Sequence, residues 1–142
     1  MTRLRAIAFA AATLAAASHA HAEEAIVYDG VTRATPATAA LFQDSTYQSE
    51  TRDGMTAVIS YWPNGECLLA MVQEGVGMEF ADSCRYRVRD LGLGRIAMDR
   101  RVVFAGKPFE TSYNATIRAD RALVFDDGAV STYVPPNGDA AR

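Results

Sequence analysis

The sequence predicts an all-β domain, an antiparallel meander of about eight to ten short strands curled into a small closed or partly open barrel, with one short N-terminal helix. Three observations carry this expectation. Apolar residues recur at every second position in several short runs, which is the period of a strand with one face buried. Turn-forming groups, among them Pro63-Asn64-Gly65, Gly92 with Gly94, and Asp126-Asp127-Gly128, separate those runs at close intervals. No stretch has the length and periodicity of a helix that could cross between parallel strands.

Residues 1–22 read as a signal peptide. Arg3 and Arg5 form a basic start, Ala6 to Ala17 is uncharged, and Ala20-His21-Ala22 has the small-x-small pattern of a cleavage site. The uncharged run is too short to span ~30 Å of hydrocarbon, so a membrane anchor is not expected. Cleavage after Ala22 would release a single domain, 23–142, to the periplasm or the medium, with 134–142 as a disordered tail. No later segment is long and apolar enough to span a membrane.

Within the domain, Ala25 to Asp29 reads as a short strand. Thr35 and Pro36 form a helix start, with Thr35 as N-cap and Pro36 at the first helical position, leaving one or two turns up to Phe42. Met55 to Trp62 and Cys67 to Gln73 are apolar runs on either side of the Pro63-Asn64-Gly65 turn. Met78 to Val88 is the clearest strand. Met78, Phe80, Cys84, Tyr86 and Val88 share one parity, with Asp82 the polar exception, while Glu79, Ser83, Arg85, Arg87 and Arg89 take the other. Arg95 to Ala105 holds one or two strands. Ser112 to Arg118 alternates around Tyr113, Ala115 and Ile117. Ala122 to Phe125 and Ala129 to Val134 form a hairpin about Asp127-Gly128, since Asp-Gly tolerates positive φ.

The two cysteines fall into this scheme. If the Gly75–Gly77 loop joins antiparallel strands with Gln73 opposite Met78, then Met71 faces Phe80, Leu69 faces Asp82 and Cys67 faces Cys84. A Cys67–Cys84 disulfide is therefore expected, and an oxidising compartment would let it form.

Composition narrows the chemistry. Without Arg3 and Arg5, twelve basic residues of the chain's 14 face 17 acidic ones, so the domain carries a net charge of −5 and no nucleic-acid partner is expected. Both histidines, His19 and His21, lie in the signal peptide. Their removal excludes Ser-His-acid and Cys-His nucleophilic catalysis and the usual near-neutral general base. The expectation is a non-catalytic domain without a cofactor or metal.

The segment from Met55 onward resembles the small secreted lipocalin-like barrels of bacteria. The resemblance rests on Tyr61-Trp62-Pro63-Asn64-Gly65-Glu66-Cys67, on Tyr86-Arg87-Val88, and on Leu123-Val124-Phe125-Asp126-Asp127-Gly128 leading to Tyr133. The Gly-x-Trp that true lipocalins carry near the first strand is missing. The resemblance implies binding of a small apolar molecule or a protein. A second similarity, Ser83-Cys84-Arg85-Tyr86 to the Ser-Gly-x-x-Tyr loop of periplasmic lysozyme inhibitors, lacks the glycine.

Two candidate sites follow. Met71, Met78, Phe80, Tyr86, Met98 and Tyr113, with Ile117, Leu123 and Phe125, would line the interior as a ligand cavity or as a filled core. Arg85, Arg87 and Arg89 would form an outer stripe at ~6.5–7 Å spacing, which Arg100-Arg101 would extend if their strand is adjacent. That stripe would either meet an acidic envelope partner or pair with acids on neighbouring strands. Protein recovered after export should begin at Glu23 and show no free thiol on non-reducing mass spectrometry. An intact leader or two alkylatable cysteines would contradict this reading.

Overall fold

The computed structural model describes residues 25–51 and 53–136. The signal-peptide expectation and the last part of the tail, 137–142, lie outside the described residues. Ten strands form one curled sheet, a half-barrel, as the alternation predicts. They are β1 (Gly30–Arg33), β2 (Ser45–Glu50), β3 (Thr56–Tyr61), β4 (Cys67–Gln73), β5 (Gly77–Phe80), β6 (Ser83–Gly92), β7 (Arg95–Phe104), β8 (Lys107–Ile117), β9 (Leu123–Phe125) and β10 (Val130–Val134). Their spatial order is β1-β6-β7-β8-β9-β10-β2-β3-β4-β5. Every pairing is antiparallel except that of β1 with β6.

The single helix, α1 (Pro36–Ala39), starts as expected. The Thr35 hydroxyl accepts from the Thr38 amide, Pro36 occupies the first turn, and a 3₁₀ turn over Ala40–Phe42 continues it. A long-range tie fixes its place. The Asp90 carboxylate of β6 accepts from the Thr35 amide and from the Thr38 hydroxyl, both at 2.6 Å. The turn thereby delivers Phe42 to the barrel floor, where it is wholly buried.

Several strands depart from the expected ones. Ala25 to Asp29 is not a strand, and pairing begins at Gly30. Val134 belongs to β10 and not to a tail. Strand β2 is an addition to the expected set. Ser45-Thr46-Tyr47-Gln48-Ser49-Glu50 has one large apolar residue, yet it is held on both sides by β3 and β10.

The largest correction concerns Met78 to Val88, which is two strands. Near the loop, Gln73 pairs with Gly77, Val72 with Met78 and Ala70 with Phe80, one residue off the expected register. At the other end Glu66 bridges Arg85, in the expected register, and Cys67 bonds Cys84 with Cα atoms 4.9 Å apart. One extra residue in the Ala81-Asp82 segment absorbs the difference, as a β-bulge does. Because a one-residue slip exchanges the faces of a sheet, Met78 and Phe80 lie with Val72 and Ala70 on the outer face. They are 57% and 52% exposed and do not line the interior. Asp82 sits at the bulge, where its carboxylate accepts from the Gly106 amide at 3.0 Å.

The disulfide and the Glu66–Arg85 bridge join β4 to β6, so the sheet meets itself at one end and stays open at the other. In the chain-entropy view a closure of this length contributes about 3 kcal/mol. The N-terminal segment seals the same seam. The Val31 amide donates to the Pro63 carbonyl and the Tyr86 amide to the Gly65 carbonyl. Gly30 and Gly65, both at positive φ, pass so close that a Cβ on Gly30 would lie 2.1 Å from the Pro63 oxygen, and one on Gly65 would lie 2.1 Å from the Tyr28 oxygen.

Gly65→Ala should therefore cost at least about 3 kcal/mol, since backbone strain and a backbone clash add. Gly54→Ala, where φ is also positive but nothing lies within 4 Å, should cost only about 1 kcal/mol. Urea midpoints measure both, and equal losses would show that the contact at Gly65 adds nothing.

Candidate functional site

The interior is filled at the closed end. Phe42, Tyr47, Tyr61 and Tyr86 are at most 1% exposed and pack edge to face or tilted, with ring centroids 4.7–6.2 Å apart. Aromatic pairs of this kind contribute beyond their buried area. Their hydroxyls are placed as well. Tyr86 donates to the Trp62 carbonyl at 2.7 Å, and Tyr47 donates to the Leu41 carbonyl at 3.2 Å. Burial raises the pKa of both phenols above the ordinary value. Val88, Ile96, Met98 and Leu123 complete this floor.

Of the interior residues expected from sequence, Tyr86 and Met98 lie in this packed floor and Met71 and Tyr113 stand above it. Tyr86 is thus a core residue and not an exposed loop contact of the Ser-x-x-Tyr kind.

Toward the open end the packing stops and a cleft of about 290 Å³ begins. Its apolar wall comes from Ile59 of β3, Leu69 and Met71 of β4, and Phe125 of β9. Ser49, Thr51, Ser131, Tyr113 and Arg100 supply polar groups. A larger groove of about 570 Å³ lies in the gap between the β4–β5 and β7–β8 hairpins, where Met55, Phe104 and Phe109 line it. It is a surface groove with a single charged group, Glu79. Met71 lines both spaces.

The sequence offers Arg100-Arg101 as an extension of the outer stripe if their strand is adjacent; β7 does lie beside β6 and Arg101 joins the stripe, but Arg100 turns inside. Ile96, Met98, Arg100, Val102 and Phe104 are alternate residues of β7, and the four others belong to or pack against the core. Arg100 is flanked on the same face by Tyr86 of β6 and Thr111 of β8. Its Nη1 donates to the Tyr61 hydroxyl at 3.1 Å, which in turn lies 3.5 Å from the Met98 sulfur. Its guanidinium carbon stands 5.1 Å from the centroid of the Tyr113 ring. Its Nε is enclosed and has no hydrogen-bond partner.

Burial disfavours the Arg100 charge, but Tyr61 and Tyr113 outweigh that and raise its pKa above the usual value. For Tyr113 burial pushes upward, yet a hydrogen bond with Thr111 and the adjacent guanidinium bring the phenol below its usual value. The signal that would have found Arg100 is parity, since an arginine interrupts an otherwise apolar alternation from Ile96 to Phe104.

The outer stripe resolves into ion pairs with acids on neighbouring elements. Arg87 Nε lies 2.6 Å from an Asp99 oxygen and Arg89 lies 3.8 Å from the same one. Arg85 reaches Glu66 at 3.8 Å, and Arg101 reaches Glu110 at 3.3 Å. Ser112 donates to the other Asp99 oxygen at 2.6 Å. Burial pushes the Asp99 carboxyl up, but the bonds from Ser112 and Arg87 and the two guanidinium charges bring it below the ordinary value. Among the described residues no group of three or more His, Cys, Asp or Glu stands close enough to hold a metal ion. No helix among them is long and apolar enough to cross a membrane.

Comparison with protein-family models, with curated proteins and with solved structures finds no match.

Because the folded Asp99 carboxyl is more acidic than in the unfolded chain, its contribution is complete above the ordinary value near 4 and falls away as the pH drops through the folded value. Asp99→Asn should cost about 2 kcal/mol at neutral pH, by leaving Arg87 without its partner. The gap to wild type should narrow in urea titrations below about pH 4. A gap that is constant down to pH 2 would remove Asp99 as the outer anchor.

Proposed function

We propose that this domain is a non-catalytic carrier or sensor, exported from the cell, that takes a small, largely apolar molecule into the open end of its half-barrel. The observation that carries the reading is the contrast between the two ends of one interior. The floor is packed with four aromatic rings, whereas the mouth is left as a cleft walled by Ile59, Leu69, Met71 and Phe125. Interiors are ordinarily filled to the density of organic crystals, so an apolar hollow bordered by a few convergent polar groups is the usual form of a ligand site. The pliable Met71 at its edge suits a ligand of variable shape. The volume is at the small end for such sites, which favours a compact molecule or the head of a longer one.

Export and the kinship with secreted lipocalin-like barrels belong to the same proposal. The buried disulfide is compatible with an oxidising compartment. The absence of histidine from 23–142 supports binding over catalysis. A partner-docking role for Arg85, Arg87 and Arg89 has less support, because each already faces a carboxylate of the same chain.

Nile red, a neutral dye whose emission rises in apolar surroundings, tests the reading on the disulfide-bonded domain. The wild type should bind it with saturation. Met71→Trp, which fills the mouth, should abolish the signal while the thermal midpoint moves by only a few degrees. Absence of dye uptake, together with a native mass free of any co-purified molecule, would sink the proposal.

A further inference from the structure

We infer that the ligand of this cleft is an amphiphile with a carboxylate head, which Arg100 receives at the base of the mouth while the apolar part runs outward past Met71. The inference rests on the ligand-binding reading above and specifies the class of molecule. Its basis is a cation that no described carboxylate of the chain pairs. Seven arginines, Arg33, Arg85, Arg87, Arg89, Arg95, Arg101 and Arg118, stand within 4 Å of a carboxylate, and all of these pairs lie on the outer surface or in loops. Arg100 faces inward, and no described carboxylate lies within ion-pairing distance of it.

A guanidinium enclosed by protein without an anion is costly, and folds keep such a group chiefly where something else neutralises it. Its neighbours are phenols and a threonine, which accept hydrogen bonds but carry no charge in their ordinary neutral form. Tyr61 takes one N–H, the Tyr113 ring lies under the cation, and Nε is left without an acceptor. The planar guanidinium fork can bind a carboxylate in bidentate fashion through the N–H groups that it turns to the cleft. Arg100 keeps part of its surface on the cleft, so an anion entering there meets it directly.

The rest of the cleft agrees with such a molecule. Tyr113, Ser49, Thr51 and Ser131 offer hydroxyls around the head. Beyond them, Met71 borders both the cleft and the groove lined by Met55, Met78, Phe104 and Phe109, so an apolar tail that passes Met71 would meet that groove. Two carboxylates also line the cleft, Glu50 and Asp127. Both are solvent-exposed and so are weak opponents of an anion bound deeper in. Their repulsion selects against ligands whose charge stays at the surface.

Isothermal titration of the disulfide-bonded domain with sodium decanoate and with decanol, at neutral pH, separates the possibilities. The wild type should bind decanoate at least tenfold more tightly than decanol. In Arg100→Gln the preference should vanish, with decanol affinity retained. Arg100→Lys should keep a reduced preference, and it serves as the variant of record if the glutamine form does not fold. Equal binding of acid and alcohol by the wild type would overturn the carboxylate inference and leave the apolar-ligand reading standing. An undiminished preference in Arg100→Gln would overturn the role of that residue. Binding of neither compound, with no uptake of Nile red, would overturn both.

Discussion

A curled sheet of ten strands has two ends, and unless they meet along their length nothing in the hydrogen-bond ladder keeps the sheet from flattening. Here the ends meet over a short stretch only. The Cys67–Cys84 bond, the Glu66–Arg85 bridge and the contact of Gly30 with Gly65 together occupy a few residues at one pole of the barrel. The other features take their place from that seam. Strands β4 and β6 are drawn together below, so Tyr61 and Tyr86 meet beneath them and Phe42 is received from the 3₁₀ turn. Above the seam β4 turns away with β5, so the wall stays open and the interior there is not filled.

This arrangement gives the two faces of β7 opposite electrostatic characters within one residue. Asp99 points outward into a cluster of cations and is held ionised by them and by Ser112. Arg100 points inward among phenols and thioether. Outside, charge of both signs is matched at short range, which is how a surface rich in arginine avoids repelling itself. Inside, Arg100 is surrounded by phenols and not by carboxylates. The polarity of the strand is therefore inverted relative to a simple apolar-in, charged-out pattern at one position, and that position borders the cleft.

Much of the fold was legible because its determinants are local. The Asp127-Gly128 turn, the Thr35 cap before Pro36 and the period-two alternation of β6 each depend on residues a few positions apart, and each stands where the chain chemistry puts it. The cysteine pairing stands as expected, although the register it was read from fails at the loop and the extra residue at Ala81-Asp82 restores it. What escaped depended on neighbours distant in the chain. Strand β2 is polar, and Tyr47 becomes core only because β10 and β3 flank it. The Arg100-Arg101 pair reads as one basic patch in the sequence, although consecutive residues of a strand cannot share a face. Met78 and Phe80 carried the right parity for the wrong register, because the extra residue at Ala81-Asp82 has no composition signature beyond one acid in an apolar row.

That extra residue has a consequence for the size of the mouth. Were β5 to continue in the register that the cysteines impose, Met78 would stand across from Gln73 and Phe80 across from Met71, on the inner surface. Two bulky side chains would then stand on the inner face beside Met71, where the groove between the β4–β5 and β7–β8 hairpins now lies. The backbone slip thus turns the apolar side chains of β5 to the outside and leaves Gly77 and Glu79 on the face that Met71 shares. Capacity in this fold is a matter of phase between two strands before it is a matter of which residues line the wall.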